Sequence, residues 1–112
     1  MAIAEAFSGT EAVSTTEHSL TTDTAGPDAD TTDGVYQLWL DLSDMVTGDE
    51  LQIRIYDTVD GSQDIMFQAN LVGVQAFPIW VSPTLVLIDG WDMTLDAIAG
   101  TITALWSIRQ AT

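Results

Sequence analysis

The residues with the most obvious chemical potential lie in "DTAGPDADTTDG", residues 23–34. Asp23-Thr24-Ala25 has the outline of an aspartic-protease turn, whose chemistry needs two carboxylates sharing one proton on a buried loop. Here polar "SLTT" precedes the triplet and Gly26-Pro27 follows it, so no buried support is expected. The aspartates that follow invite a calcium reading. A helix–loop–helix calcium loop needs acids at alternating positions, glycine at the sixth and glutamate at the twelfth. Counting from Asp28, the sixth position is Asp33 and the twelfth is Trp39, so that motif fails. A looser calcium site from Asp28, Asp30 and Asp33, or from Asp57, Asp60 and Asp64, stands against the plainer reading of solvated turns whose Asp side chains bond nearby backbone N–H groups. His18 is the single histidine and the one base a serine triad could use. No Gly-x-Ser-x-Gly elbow accompanies it, and it is expected as an exposed strand residue. With 17 acidic residues some glycosidase-like carboxylate pair always exists, so its presence carries no weight. The reading at this level is non-enzymatic, with no cofactor and no firm metal site.

Composition narrows the classes further. The chain has 112 residues, the size of one domain, and 46% of them are hydrophobic. Its two cations, Arg54 and Arg109, face 17 acids, giving a net charge of −15. That balance argues against nucleic-acid binding, which needs a basic face, and against docking on anionic membranes. Cysteine is absent, so there is no disulfide framework and no thiolate chemistry. The N-terminal "MAIAEAFSGTEA" lacks the basic and apolar regions of a signal peptide. The uncharged run 71–88 is divided by Gly73, Pro78 and Pro83 and reads as two strands with a turn. A soluble chain is expected.

The elements that must position these groups alternate with period two. Tyr36, Leu38, Leu40 and Leu42 share one face; so do Leu51, Ile53 and Ile55; so do Ile65, Phe67, Ala69 and Leu71. Trp91, Met93 and Leu95 form another set, as do Ile102, Ala104, Trp106 and Ile108, with Thr103, Leu105, Ser107 and Arg109 opposite them. Turn signals "TGDE", "DTVDGSQD", "DG" and "AG" separate the runs, and a threonine-rich strand is expected within 11–22. Only residues 92–99 could form a helical turn. The fold predicted is an all-β, antiparallel, jelly-roll-like sandwich of about seven or eight strands over residues 13–112, preceded by an N-terminal arm at 1–12. Trp39, Tyr56 and Trp80 fall on the less apolar sides of their strands. They are read either as covered by the other sheet or a loop, or as an aromatic contact surface. Both arginines are expected to pair with carboxylates.

Four linked segments, "GTEAVSTTEHSLTTDT", "TTDGVYQLWLDLSDMVTGDELQIRIYD", "PIWVSPTLVLIDGWDMTL" and "AGTITALWSIRQ", resemble small proteins encoded among tailed-bacteriophage structural genes. The resemblance runs from Gly9 to Gln110 and is best to capsid decoration, or cement, proteins. It implies a virion component on the outer capsid surface, a major capsid protein as partner, and a homo-oligomer with a trimer favoured. It transfers no functional residue. The contact set expected from the residues themselves is Ile3, Phe7, Trp39, Arg54, Tyr56, Trp80 and Arg109, with Ile3 and Phe7 on a docking arm. A tail or head–tail component is the alternative within the structural class. A carbohydrate-binding module using Trp39 and Trp80 for host attachment is the alternative outside it.

Overall fold

In the computed structural model, which describes residues 2–112, every regular element is a strand. They are β1 (Ile3–Val13), β2 (His18–Ser19), β3 (Thr24–Ala25), β4 (Gly34–Asp41), β5 (Glu50–Val59), β6 (Ser62–Val72), β7 (Ile79–Val81), β8 (Leu85–Leu87), β9 (Asp92–Ala99) and β10 (Ile102–Ala111). All pairings are antiparallel and form two sheets. Sheet A runs β1-β10-β4-β7, with β8 also on β4; sheet B runs β3-β2-β9-β5-β6. Strands β7 and β8 lie along the same side of β4 and act as one interrupted strand. With β3 set aside as a short appendage to β2, this is the eight-strand jelly-roll order. The expected all-β sandwich is therefore the observed one.

The alternation places the core as expected. Leu38, Leu40, Leu42, Leu51, Ile53, Ile55, Trp91, Met93, Leu95, Ile102, Ala104 and Ile108 are all buried between the sheets. The β5–β6 hairpin turns at Asp60-Gly61, both at positive φ (60° and 93°), the pairing a tight hairpin with right-handed twist demands. Between β7 and β8, Ser82 takes the place of a strand residue. Its N–H donates to Leu38 O (2.9 Å) and its Oγ accepts from Leu38 N–H (2.9 Å), so a side chain completes the ladder.

Several expectations need correction. The segment expected as an N-terminal docking arm, residues 1–12, is within the described residues largely strand β1, an edge strand paired with β10 from Ile3↔Ala111 to Val13↔Ile102. Residues 92–99 are β9, at the centre of sheet B, where β2 on one edge and β5 on the other satisfy its backbone as a strand. The threonine-rich stretch 11–22 is the end of β1, a loop and the two-residue β2. Ile65 does not join the inward set: a register shift pairs Ile55 with Phe67 but Tyr56 with Ile65, leaving Met66 as the extra residue and turning Ile65 to the outer side.

The loop 23–34 is fixed by buried groups beneath it. Asp92 is fully buried and accepts from Thr21 Oγ1 (2.8 Å), Ser19 Oγ (3.1 Å) and Asp28 N–H (2.8 Å). Thr32 O accepts from both Tyr36 OH (3.0 Å) and Trp91 Nε1 (2.8 Å), while those two rings pack at 4.5 Å.

Candidate functional site

The two sheets present opposite outer faces. On sheet B that face carries Gln52 and Arg54 of β5, Thr94 and Asp96 of β9, and Gln68 and Asn70 of β6. It is further closed by Glu17, whose carboxylate accepts from Tyr56 OH and Thr94 Oγ1 and lies 3.7 Å from Arg54. On sheet A the register aligns Ile3, Ala111, Val35 and Val86 in one row. Ser8, Ser107, Trp39 and Val81 form another, and Thr10, Leu105, Asp41 and Ile79 a third. Of these, Ile3, Val86, Val81, Leu105 and Ile79 are exposed large hydrophobics. A sheet face with this many exposed aliphatic side chains, with no layer of the described residues over it, is the feature most in need of a functional account.

Its centre is Trp39. The Arg109 guanidinium lies 4.0 Å over the indole, a cation–π stack. Trp39 Nε1 donates to Gln37 Oε1 (3.0 Å), and Gln37 Nε2 donates to Ser82 O (2.9 Å), so the N–H edge of the ring is anchored through Gln37 to the link between β7 and β8. A cleft of about 640 Å³ opens on one side of the stack, lined by Ile3, Val35, Gln37, Thr84, Arg109 and Ala111 among others. A second, of about 330 Å³, opens on the other side beside Asp41, Ile79, Leu105 and Ser107.

The expected contact residues are thus divided. Ile3, Trp39 and Arg109 share the outer face of sheet A. Phe7 instead turns inward, half-buried, edge-on to Trp91 at 6.1 Å. Trp80 pairs with Leu40 on the inner side and packs near Phe67 (6.4 Å), closing the sandwich between β7 and β6. Tyr56 is buried under Glu17, and Arg54 sits beside it on sheet B. Arg54 has its expected carboxylate; Arg109 has none within ion-pair distance among the described residues. Residues not anticipated as a surface are Val35, Ile79, Val81, Val86 and Leu105. The available signal was Leu105, an aliphatic residue in the outward-facing set Thr103, Ser107 and Arg109.

The candidate catalytic and metal groups take other roles. His18 is buried rather than exposed; its ring packs edge-on to Trp106 (5.7 Å). Its Nε2 lies 2.7 Å from Asp23 Oδ1 and its Nδ1 3.4 Å from Glu11 Oε2. Among the described residues no hydroxyl bonds the ring, so a serine triad is not assembled. Asp23 serves that bracket from a positive φ of 57°, not a protease dyad. Asp28, Asp30 and Asp33 do not converge. Asp28 accepts from Thr22 (2.6 Å) and Thr24 (3.3 Å), and Asp30 caps Thr32 N–H (2.8 Å). Among the described residues, the one trio of metal-capable groups with ligand atoms within 4.8 Å is Glu11, His18 and Asp23.

No family model, no curated protein and no solved structure matches this chain.

Proposed function

We propose that the protein is a non-enzymatic structural component of a tailed-phage virion, a decoration protein that binds the outer capsid surface through the outer face of sheet A. The observation that carries this reading is what lies at the centre of each face: sheet B outward has a hydrogen-bonded polar centre of Gln52, Arg54, Thr94 and Glu17, with Ile65, Val72 and Ile98 exposed away from it, while sheet A outward presents Ile3, Ile79, Val81, Val86 and Leu105 around a Trp–Arg centre. Tryptophan and arginine are the residue types that most often dominate binding energy at interfaces. The jelly roll occurs in viral shell and lectin domains alike, so the fold is compatible with this function without determining it. A charge of −15 suits a surface facing away from packaged nucleic acid.

The sugar-binding alternative loses its geometry, since Trp80 faces inward and one face of Trp39 is occupied by Arg109. The test is addition of the purified chain to undecorated capsids. Saturable binding is expected, and Leu105→Asp and Val81→Asp, each exposed, should abolish it with an unchanged melting midpoint. Binding that survives both substitutions contradicts the reading; association with tails or connectors instead moves the protein to the head–tail class. The trimer expected of such a protein is checked by light scattering, where a strict monomer counts against it.

A further inference from the structure

Arg109 is one of two cations among 17 acids, yet its charge is left open toward the larger cleft of sheet A. Its Nε donates to Ser107 Oγ (3.4 Å). Glu5, its register neighbour on β1, bonds that same Ser107 hydroxyl instead of the guanidinium. The two amino groups have no acceptor among the described residues. Gln37 and the Trp39 N–H are engaged with each other and with Ser82, so they do not compete for a ligand. The indole holds the guanidinium flat, and a planar guanidinium with free amino groups matches a carboxylate through two parallel hydrogen bonds. Ile3, Val35 and Ala111 make the cleft beside it apolar, and its 640 Å³ is within the range of small-ligand and side-chain pockets.

We propose that Arg109 is a receptor for a carboxylate carried on an apolar segment of the partner's polypeptide, seated in this cleft. The inference rests on sheet A being the docking face and names the chemistry of its occupant. Remote acids of the chain do not forbid it, because charges beyond about 8 Å are largely screened at physiological ionic strength. Glu5 and Asp41 flank the centre, so the fitting partner carries a negative charge at its middle and donors or cations around it. A single inverted charge of this kind sets the register of docking. A second copy is a poor occupant, since it brings another net charge of −15.

The experiment is a titration of the ¹⁵N-labelled full chain with acetyl-Val-Glu-Val-amide and with acetyl-Val-Gln-Val-amide. The glutamate peptide should shift the Trp39 and Arg109 side-chain N–H signals saturably and bind about tenfold more tightly, the scale of one charge-assisted hydrogen-bonded contact. Arg109→Gln should erase the difference and Arg109→Lys retain part of it, both with wild-type melting midpoints. Equal affinity for the two peptides, or a preference that survives Arg109→Gln, overturns the inference. So does the absence of shifts from either peptide at about 10 mM, beyond the millimolar scale of the weakest specific affinities. Concentration-dependent shifts of the Trp39 and Arg109 side-chain signals without peptide assign this face to a second copy and also overturn it, whereas such shifts confined to other residues place an oligomer contact elsewhere and leave the inference to the peptide comparison. Equal binding by both peptides leaves the docking face standing, whereas a glutamate preference with no capsid binding leaves the receptor and removes the capsid, so the two failures are distinguishable.

Discussion

At Asp92, a carboxylate without solvent exposure is matched by donors from Ser19, Thr21 and Asp28, up to 73 residues away in the chain. It ties the whole aspartate-rich loop to sheet B. Asp92→Ala strands those donors and should cost about 3 kcal/mol, measured by urea denaturation; a loss under about 0.5 kcal/mol, the size of an ordinary surface change, contradicts that role. Burial raises the Asp92 carboxyl above the ordinary carboxylate range despite these donors. Burial also raises Asp96, with Arg54 opposing and Glu17 adding, and Asp96 Oδ1 is buried without a hydrogen-bond partner among the described residues. Between an unfolded value of about 4 and those raised values, the native state holds protons that the unfolded chain has released. Stability therefore falls as pH rises through that window. The melting midpoint should be higher at pH 5 than at pH 7.5, and Asp96→Asn should flatten the difference; a midpoint that drops from pH 7.5 to 5 rejects this account. Asp41, lowered by its hydrogen bonds from Ser43, acts in the opposite sense, losing stability only below the ordinary carboxylate range. None of this was legible in the sequence. Asp92 alternates with core residues just as Asp41 does, and only a loop folding back over sheet B distinguishes the two.

Strand β1 shows where element-scale reading succeeds and where it stops. Its apolar residues Ile3 and Phe7 were visible, but their faces were not, because a register irregularity between Glu5 and Phe7 sends one outward and the other inward. A one-residue shift exchanges the two faces of a strand, and nothing in the local composition marks it. The strand also has a consequence for truncation. Deleting residues 2–8 removes half of the pairing with β10, so it should lower the melting midpoint and expose β10 amides to hydrogen exchange, not merely detach a docking arm. An unchanged midpoint contradicts this. Within the same strand, Gly9 lies against the Trp106 ring, and a Cβ built there would meet it at 2.5 Å. Gly9→Ala should cost about 1–3 kcal/mol by overpacking, read from denaturant midpoints. By contrast, β4 and β10 were read correctly face by face, since their alternation is unbroken and their partners sit on both sides.

For the molecule as a whole, period-two patterning was enough for an all-β sandwich because each strand buries one face and the two inner faces share one core. The outer faces could not be ranked that way. Val35, Val81 and Val86 lie on three different strands, and only the register across sheet A collects them. The charge of −15 works against compactness, so raising salt from about 10 mM to 150 mM, which shortens the screening length from about 30 to 8 Å, should raise the melting midpoint; a fall would show that specific ion pairs dominate. The contrast between a polar centre on one outer face and an aliphatic-rich centre on the other has a further outcome. In a body of 39 × 30 × 20 Å, it makes the protein a two-sided particle with a built-in up and down. At an air–water boundary or on a hydrophobic support it should settle with sheet A toward the apolar phase, so that thin-film images of the isolated protein sample mainly one view.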